Sequence, residues 1–172
     1  KTFIAERPLP GQYTGLVASG SSGRGKVTVD DTAFFTANFE NGAIGVFEAT
    51  RFAAGRKNAM SIEINGSKGS LYFNFEDMNQ LLYHDHREPA ETSGFKKILA
   101  TDANHPYVAA WWPPGHLIGY EHTFTHEIFD FITSIKDGKD PSPSFTEGLY
   151  VQKVLDAVEK SAQNNSQLTR IN

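Results

Sequence analysis

The sequence predicts an α+β domain with a large, mainly antiparallel and open-faced β-sheet and helices packed on one face. Two observations support this prediction. The first hundred residues contain short segments of alternating apolar residues, separated by tight-turn signals such as Asn41-Gly42. The last third instead has apolar residues at the spacing of amphipathic helices. Strands joined by short turns pair antiparallel, and the helices would cover the apolar face of the sheet.

The strands follow one another at short intervals along the first hundred residues. In chain order, the predicted strands are residues 1–7, 28–39, 43–52, 59–64, 70–75, 81–85 and 95–100. Pro8 and Pro10 are expected to end the first of them. The glycine- and serine-rich segment 16–26 is predicted to be a mobile loop, and residues 167–171 a short closing strand.

Alternation within the strands predicts which side chains share a face. Ala33, Phe35, Ala37 and Phe39 fall on one face of their strand. We expect Phe34, Phe47 and Tyr72 on the face that the helices leave open. Large apolar residues on both faces leave a patch that monomers rarely expose. The sequence therefore predicts self-association through the sheet face into a homo-oligomer.

Two amphipathic helices are predicted in the last third. The first covers residues 119–136, because Phe124, Ile128, Phe131 and Ile135 fall on one stripe. Asp137-Gly138 ends it, and the proline-marked segment 139–144 leads to a second helix over residues 145–163.

Length and composition limit the classes of protein. The 172 residues suit one domain spanning residues 1–172. A net charge of −4 gives no reason to expect nucleic acid or an anionic membrane as partner. The chain has no cysteine, which excludes thiol catalysis and fits a cytoplasmic protein. No run of apolar residues is long enough to span a membrane. Because the first residue is Lys1, we expect a piece of a longer chain.

The glycines of segment 20–25 do not predict a nucleotide site. They follow the order G-x-x-G-x-G, whereas the dinucleotide fingerprint is G-x-G-x-x-G between a strand and a helix. This segment leads into another strand. No cofactor-binding residue is therefore predicted in this chain.

His122 and His126 are four residues apart and could hold a metal on a helix, with Glu127 or His116 as a third ligand. The helical wheel places both histidines opposite the apolar stripe, where they would face solvent. Their order also lacks the H-E-x-x-H arrangement of zinc hydrolases. We therefore predict no metal site.

Other polar residues have two open interpretations each. Glu121 lies near the edge of the predicted buried stripe, so its carboxylate needs either a structural partner such as arginine or a polar ligand. Arg51, Arg56, Lys57 and Asn58 lie between two strands, either as a solvated loop or as hydrogen-bonding groups for a polyol.

Several motifs occur in a specific order along nearly the whole chain. They are the VDD strand, FENGA, ATRF, EINGSKG, NFE, PPGH, GYEHTF, EIFDFITSI and SFTEGLYVQKVLDAVEKSA. In these motifs the chain resembles the C-terminal domain of the Gfo/Idh/MocA oxidoreductases, named after glucose–fructose oxidoreductase, inositol dehydrogenase and a rhizopine-catabolism protein.

The resemblance implies an N-terminal Rossmann domain that binds NAD or NADP and supplies the hydride-transfer residues. Members of the family have a Glu-Lys-Pro motif and an Asp-x-x-x-His pair, and neither occurs in this sequence. The resemblance therefore implies that this chain holds no catalytic residue, binds no cofactor alone and is inactive in isolation. In the intact protein it would provide a substrate-site wall and the oligomer interface.

The resemblance also suggests the substrate class and the side chains that meet it. The substrate would be a sugar, inositol or related polyol, and the loop WWPPGH would approach the crevice between the two domains. The candidate substrate-binding residues are Arg51, Arg56, Asn58, Trp112, His116 and Glu121. Trp111 or Trp112 could stack on a sugar ring, or could plug the end of the sheet. The alternative function is a non-catalytic binding or dimerisation module.

Overall fold

The computed structural model describes residues 1–171 as eight β-strands followed by two α-helices, which confirms the α+β class. The strands are β1 Glu6–Thr14, β2 Val17–Lys26, β3 Thr32–Asn38, β4 Ile44–Thr50, β5 Ser61–Asn65, β6 Gly69–Asn74, β7 Gln80–Asp85 and β8 Lys96–Leu99. The helices are α1 Tyr120–Asp137 and α2 Phe145–Gln163. Short 3₁₀ turns occur at Phe75–Asp77, Ala90–Thr92 and Val108–Ala110. Within this part of the chain, neither helix has the length and apolar character needed to cross a bilayer.

All strand pairs are antiparallel, as the sequence predicted. The hydrogen bonds divide the strands into a β1–β2 pair, a β3–β4 pair and a four-stranded sheet in the order β5-β6-β7-β8. The chain also divides into two compact units, residues 1–57 and 58–171 of the described part. The assignment of residues 1–172 to a single domain remains a prediction.

The first unit begins with a hairpin that the sequence did not predict. Residues 16–26, expected to be a mobile loop, form β2 and pair with β1. Pro8 and Pro10 lie inside β1 instead of ending it, and the register shifts on either side of Pro10. These irregularities explain why the strand tolerates proline, because a bulge leaves positions where the ladder needs no N–H donor.

The β3–β4 hairpin agrees with its sequence signals. Gly42 has φ +87°, and the Asn41 side-chain oxygen accepts a hydrogen bond from the Ala43 backbone N–H at 3.0 Å. Phe35 lies opposite Phe47, and the two rings stack with their centroids 4.7 Å apart. Phe47 therefore shares the face of Phe35. The expectation that Phe34 and Phe47 share the open face is wrong, because alternate residues of a strand point to opposite sides.

Asp31 fixes the start of β3 to the beginning of the chain. Its buried Oδ2 atom accepts the backbone N–H groups of Phe3 at 2.7 Å and Ile4 at 2.9 Å. Arg7 donates to the Oδ1 atom at 2.5 Å. The carboxylate thus satisfies two backbone donors and one guanidinium, as a buried charge requires.

The second unit begins with the four-stranded meander. At the turn between β5 and β6, Gly69 packs so closely against β7 that a Cβ atom there would lie 2.2 Å from the backbone oxygen of His84. Ser70, which is buried, donates to the side-chain oxygen of Asn65 at 2.6 Å. Glycine at position 69 is therefore a steric requirement for the β6–β7 pairing.

Local signals set the ends of the helices. Ser144 caps α2 by accepting the Thr146 N–H at 3.1 Å, and Glu147 accepts the Ser144 backbone N–H at 2.7 Å. This reciprocal capping box satisfies two of the backbone donors at the helix start. Helix α1 ends at Gly138, whose φ of +62° is the left-handed conformation that glycine adopts readily.

The apolar stripes of the helices are exposed. Phe124, Ile128, Phe131 and Ile135 of α1 have exposed fractions of 48% to 62%. Helix α1 contacts the preceding segment through His122 and His126, which pack against Trp111. Residues 167–171 form no strand, so the predicted closing strand is wrong.

Candidate functional site

The segment WWPPGHLIG, residues 111–119, joins a 3₁₀ turn to helix α1. We call its central part, residues 112–117, the proline loop. Trp112 and His116 are both exposed there, with 55% of Trp112 accessible. Gly115 has φ +88°, and the Nδ1 atom of His116 lies 2.9 Å from the backbone oxygen of Pro113. The proline loop therefore presents one indole and one imidazole to solvent.

Trp111, immediately before the proline loop, is held against α1. Its indole N–H donates to the Nε2 atom of His126 at 2.7 Å. Its ring also meets His122 edge to face, with the centroids 4.3 Å apart. Trp111 is therefore engaged in packing, and Trp112 is the tryptophan available to stack on a ligand.

Tyr107, which directly precedes the 3₁₀ turn Val108–Ala110, supports this arrangement. Its ring stacks on His126 at 4.3 Å, and its hydroxyl donates to Asp130 Oδ2 at 2.6 Å. The hydrogen bond to the Asp130 carboxylate raises the pKa of Tyr107, since the bond stabilises the protonated phenol. His122, His126 and Asp130 are four residues apart and so occupy one face of α1.

Ile118, immediately after the proline loop, is held by one side chain from the turn before β7. The Asn79 side-chain amide donates to the Ile118 backbone oxygen at 2.9 Å and accepts the Ile118 N–H at 3.1 Å. Asn79 precedes β7, and its own backbone oxygen accepts the Ala100 N–H at 2.9 Å. The far end of the proline loop is thus bonded to the β7–β8 part of the sheet.

The N-terminus of α1 corrects the helical-wheel predictions. His122 and His126 were expected to face water, but the His122 side chain is only 14% exposed and both rings pack against Trp111. Glu121 was expected near a buried edge, yet its side chain is 78% exposed. The helical-wheel prediction placed the apolar stripe of α1 against the rest of the second unit. In the structure, the face of α1 that carries His122 and His126 packs against Trp111 instead.

The hydrogen bonds also define the histidine tautomers. An indole N–H and a backbone N–H can only donate, so His126 Nε2 and His122 Nδ1 are acceptors. The Gly119 N–H is 3.0 Å from His122 Nδ1, while the Glu121 carboxylate is 3.4 Å from the same atom. Both rings therefore serve as acceptors within the fold.

Across residues 1–171, His, Asp and Glu side chains nowhere form a group of three that could hold a metal ion.

The six predicted substrate-binding residues fall into both compact units. Arg51 and Arg56 belong to residues 1–57, and both are exposed. Asn58, Trp112, His116 and Glu121 belong to the second unit, and all four are exposed. Trp112 and His116 share the proline loop, and Glu121 lies in the first turn of α1 just beyond it. The assignment of these six residues to substrate binding remains a prediction.

Sequence reasoning missed Asn79, Tyr107 and Asp130. Asn79 bonds to a residue 39 positions away, a separation that no local pattern encodes. Tyr107 has φ +69°, which is uncommon for a residue with a side chain. The four-residue spacing of His122, His126 and Asp130 was the one available signal, and it indicates a shared polar face.

Comparison with known proteins gives the family. Residues 11–169 match the model of the oxidoreductase family C-terminal alpha/beta domain, the Gfo/Idh/MocA C-terminal domain. Because this match covers most of the sequence, the chain belongs to the Gfo/Idh/MocA oxidoreductase family and represents its C-terminal domain. The resemblance and the fold predicted from the sequence are thereby confirmed.

The relatives include a levoglucosan dehydrogenase and an oxidoreductase domain protein. The chain is 39% identical over 169 residues to levoglucosan dehydrogenase of Pseudarthrobacter phenanthrenivorans, covering 96% of this chain and 43% of that protein. An oxidoreductase domain protein from Kribbella flavida is 60% identical, with a TM-score of 0.89 over 100% of this chain and 44% of its own. The chain thus spans less than half of the length of these relatives.

One solved relative was determined with its ligands. Levoglucosan dehydrogenase in complex with NADH and L-sorbose has a TM-score of 0.87 and 36% identity, over 100% of this chain and 43% of that one. The chain is therefore the C-terminal domain of an oxidoreductase related to NAD-binding sugar dehydrogenases.

Proposed function

We propose that this chain is the substrate-side domain of an NAD(P)-dependent oxidoreductase that acts on a sugar, inositol or related polyol. In this proposal it forms a wall of the substrate site and does not transfer hydride by itself. The observation that supports it best is the structural match along the full chain to levoglucosan dehydrogenase solved in complex with NADH and L-sorbose. The cofactor and the sugar class proposed for this protein are inferred from its similarity to that relative.

The proline loop suits sugar binding chemically. An exposed indole offers a flat apolar surface for the C–H face of a sugar ring, and an imidazole offers a directed hydrogen bond to a hydroxyl. Trp112 and His116 supply these two groups within one short loop. Glu121, also exposed, supplies an acceptor for a second hydroxyl.

The cofactor would be held by a domain outside this chain. The glycines of segment 20–25 lie in β2 and pair with β1, so they form no turn that opens a helix. They therefore do not fit a dinucleotide pyrophosphate. NAD or NADP would supply the hydride acceptor, and residues of this domain would bind and orient the sugar.

The test uses the full-length protein and this chain in parallel. The full-length protein should reduce NAD⁺ or NADP⁺ when given levoglucosan, L-sorbose or a related polyol, followed at the absorbance of the reduced nicotinamide. This chain alone should neither turn over nor bind NADH, followed by nucleotide fluorescence. A full-length protein inactive with every sugar and polyol tested would contradict the proposal and favour a non-catalytic binding module.

A further inference from the structure

We infer that Asn79 and His126 are positioning residues for sugar binding: they hold the two ends of the proline loop without touching the sugar. This inference rests on the proposed function and names the residues that make the substrate wall rigid. Asn79 bonds to Ile118 at the end of the loop, and His126 bonds to Trp111 at its beginning. The exposed Trp112 and His116 lie between these two anchors.

The Asn79 anchor fixes both distance and orientation. Donor and acceptor belong to one planar amide, and both bonds go to the backbone of the same residue, Ile118, at 2.9 and 3.1 Å. A rotated or displaced loop would lose both bonds together. Since Asn79 is itself tied to Ala100 next to β8, the loop end takes its position from the sheet.

The His126 anchor is rigid for a different reason. Its ring is stacked on Tyr107 at 4.3 Å, and the Tyr107 hydroxyl returns to Asp130 on the next turn of α1. The imidazole thus has a fixed plane in which Nε2 meets the indole of Trp111 at 2.7 Å. Because the Trp111 N–H donates a short hydrogen bond to this stacked ring, the indole of Trp111 is held in its observed orientation.

These anchors matter because the loop contributes the groups that would meet the sugar. A loop already held in its binding conformation avoids the entropy cost of ordering on binding. Displacement of a substrate-positioning group by about 1 Å can cost about 100-fold in rate. Loss of an anchor should therefore weaken sugar use and leave nucleotide binding unaffected.

The experiment compares three variants of the full-length enzyme. Asn79→Ala removes both bonds to Ile118. His126→Phe keeps a ring that stacks on Tyr107 and removes the acceptor of the Trp111 N–H. Asn164→Ala is the matched control, because it deletes an asparagine hydrogen bond of 2.7 Å to the Lys160 backbone oxygen at the end of α2. Sugar kinetics at saturating nucleotide, nucleotide KM and thermal melting are measured for each.

We expect kcat/KM for the sugar to fall about 10- to 100-fold in Asn79→Ala and in His126→Phe, with the nucleotide KM unchanged. Asn164→Ala should keep wild-type sugar kinetics. Hydrogen exchange of a peptide covering residues 111–119 should accelerate in Asn79→Ala, since the Ile118 N–H loses its acceptor. Exchange is a readout of loop order that activity alone does not give.

The outcomes separate this inference from the function on which it rests. An inactive wild-type enzyme refutes the proposed function and this inference with it. An active wild-type enzyme whose two anchor variants keep wild-type sugar kinetics refutes the inference alone. A parallel rise of sugar and nucleotide KM would also refute it, because that pattern indicates general damage. If Asn79→Ala does not fold, His126→Phe decides by the same criteria.

Discussion

The guanidinium group of Arg7 lies 2.5 Å from the Oδ1 atom of Asp31, whose side chain is almost completely buried. The same carboxylate accepts the backbone N–H groups of Ile4 and Phe3. These backbone hydrogen bonds, and then Arg7, lower the pKa of Asp31 from 3.8 to about 2. The first strands of the chain therefore depend on an ionised carboxylate.

Replacement of Asp31 by Asn should lower the melting temperature by several degrees at neutral pH. Because the folded-state pKa is lowered, the ionised form stabilises the fold above the unfolded pKa, and this stabilisation is lost as pH falls from about 4 to about 2. The difference between wild type and Asp31→Asn should shrink across that window. Melting at a series of pH values measures it, with Asp30→Asn as control, since Asp30 is 65% exposed. A constant difference from pH 5 to pH 2 would contradict the assignment.

Replacement of Gly69 by Ala should destabilise the four-stranded sheet. The new Cβ atom would lie 2.2 Å from the His84 backbone oxygen, so β6 and β7 must separate. Overpacking of this kind costs about 1–3 kcal/mol. Gly66→Ala is the control, because its Cβ atom would have 3.7 Å to the nearest atom. Denaturant unfolding of both variants gives the comparison, and equal stability would argue against the close β6–β7 contact.

Replacement of Ser144 by Ala should cost about 1 kcal/mol of stability through the loss of the α2 cap. Ser144 and Glu147 satisfy each other's end of the capping box, so their effects should not add. The double variant Ser144→Ala, Glu147→Ala should therefore lose less than the sum of the single variants. A double-mutant cycle by chemical denaturation measures this coupling, and strict additivity would indicate that the two residues act independently.

The two neighbouring tryptophans should respond differently to replacement. Trp112 is exposed, so under the proposed function Trp112→Ala should raise the sugar KM of the full-length protein, with kcat/KM falling about 10- to 100-fold and melting unchanged. Trp111 packs on His122 and His126, so Trp111→Ala should lower the melting temperature. Kinetics and melting of both variants test this contrast. A Trp112→Ala enzyme with normal sugar kinetics would remove Trp112 from the substrate wall.

His116 should behave like Trp112. Its imidazole is exposed, and its Nδ1 atom lies 2.9 Å from the backbone oxygen of Pro113, so His116→Ala should leave the melting temperature unchanged. If His116 binds the sugar, sugar KM rises while kcat changes less, because a ground-state contact is lost. Initial-rate kinetics at varied sugar separates the two parameters. Unaltered KM and kcat would contradict a substrate contact by His116.

Self-association through the sheet remains a prediction, and the structure changes the residues that would make it. The β3–β4 register puts Phe34, Ile44 and Val46 on one exposed apolar face, opposite to that of Phe47. Val46→Glu should therefore weaken association of the full-length protein without unfolding it. Sedimentation velocity at several concentrations measures the effect. An unchanged oligomer in the Val46→Glu variant would exclude this face from the interface.

Short sequence signals correctly predicted the elements whose conformation depends on residues adjacent in the chain. Asn41-Gly42 located a hairpin because its backbone conformation depends on those two residues alone. Segment 16–26 was missed as a strand, because glycine and serine have low strand propensity and the β1 partner supplies the pairing. The orientation of α1 was missed for another reason. A helical wheel finds an apolar stripe, but it does not say which neighbour covers that stripe, and in this unit the His122 face packs inward.

The same distinction between local and long-range contacts applies to the candidate site. The family resemblance of the segment WWPPGH predicted that the loop with Trp112 and His116 lies near the substrate, and this stays a prediction. Its anchors could not be found, because Asn79 and Ile118 are 39 residues apart in the chain. Contacts of that separation depend on the tertiary fold, which no local pattern encodes.

The two prolines inside β1 also bear on the tendency of this chain to aggregate in solution. In the described residues β1 pairs with β2 alone, so one edge of β1 has no strand beside it. A free edge can recruit strands from other molecules and start fibrous aggregates. Pro8 and Pro10 lack the N–H groups that such recruitment needs, and the shifted register twists the edge out of line. We expect the irregular ribbon to resist this kind of edge-to-edge assembly.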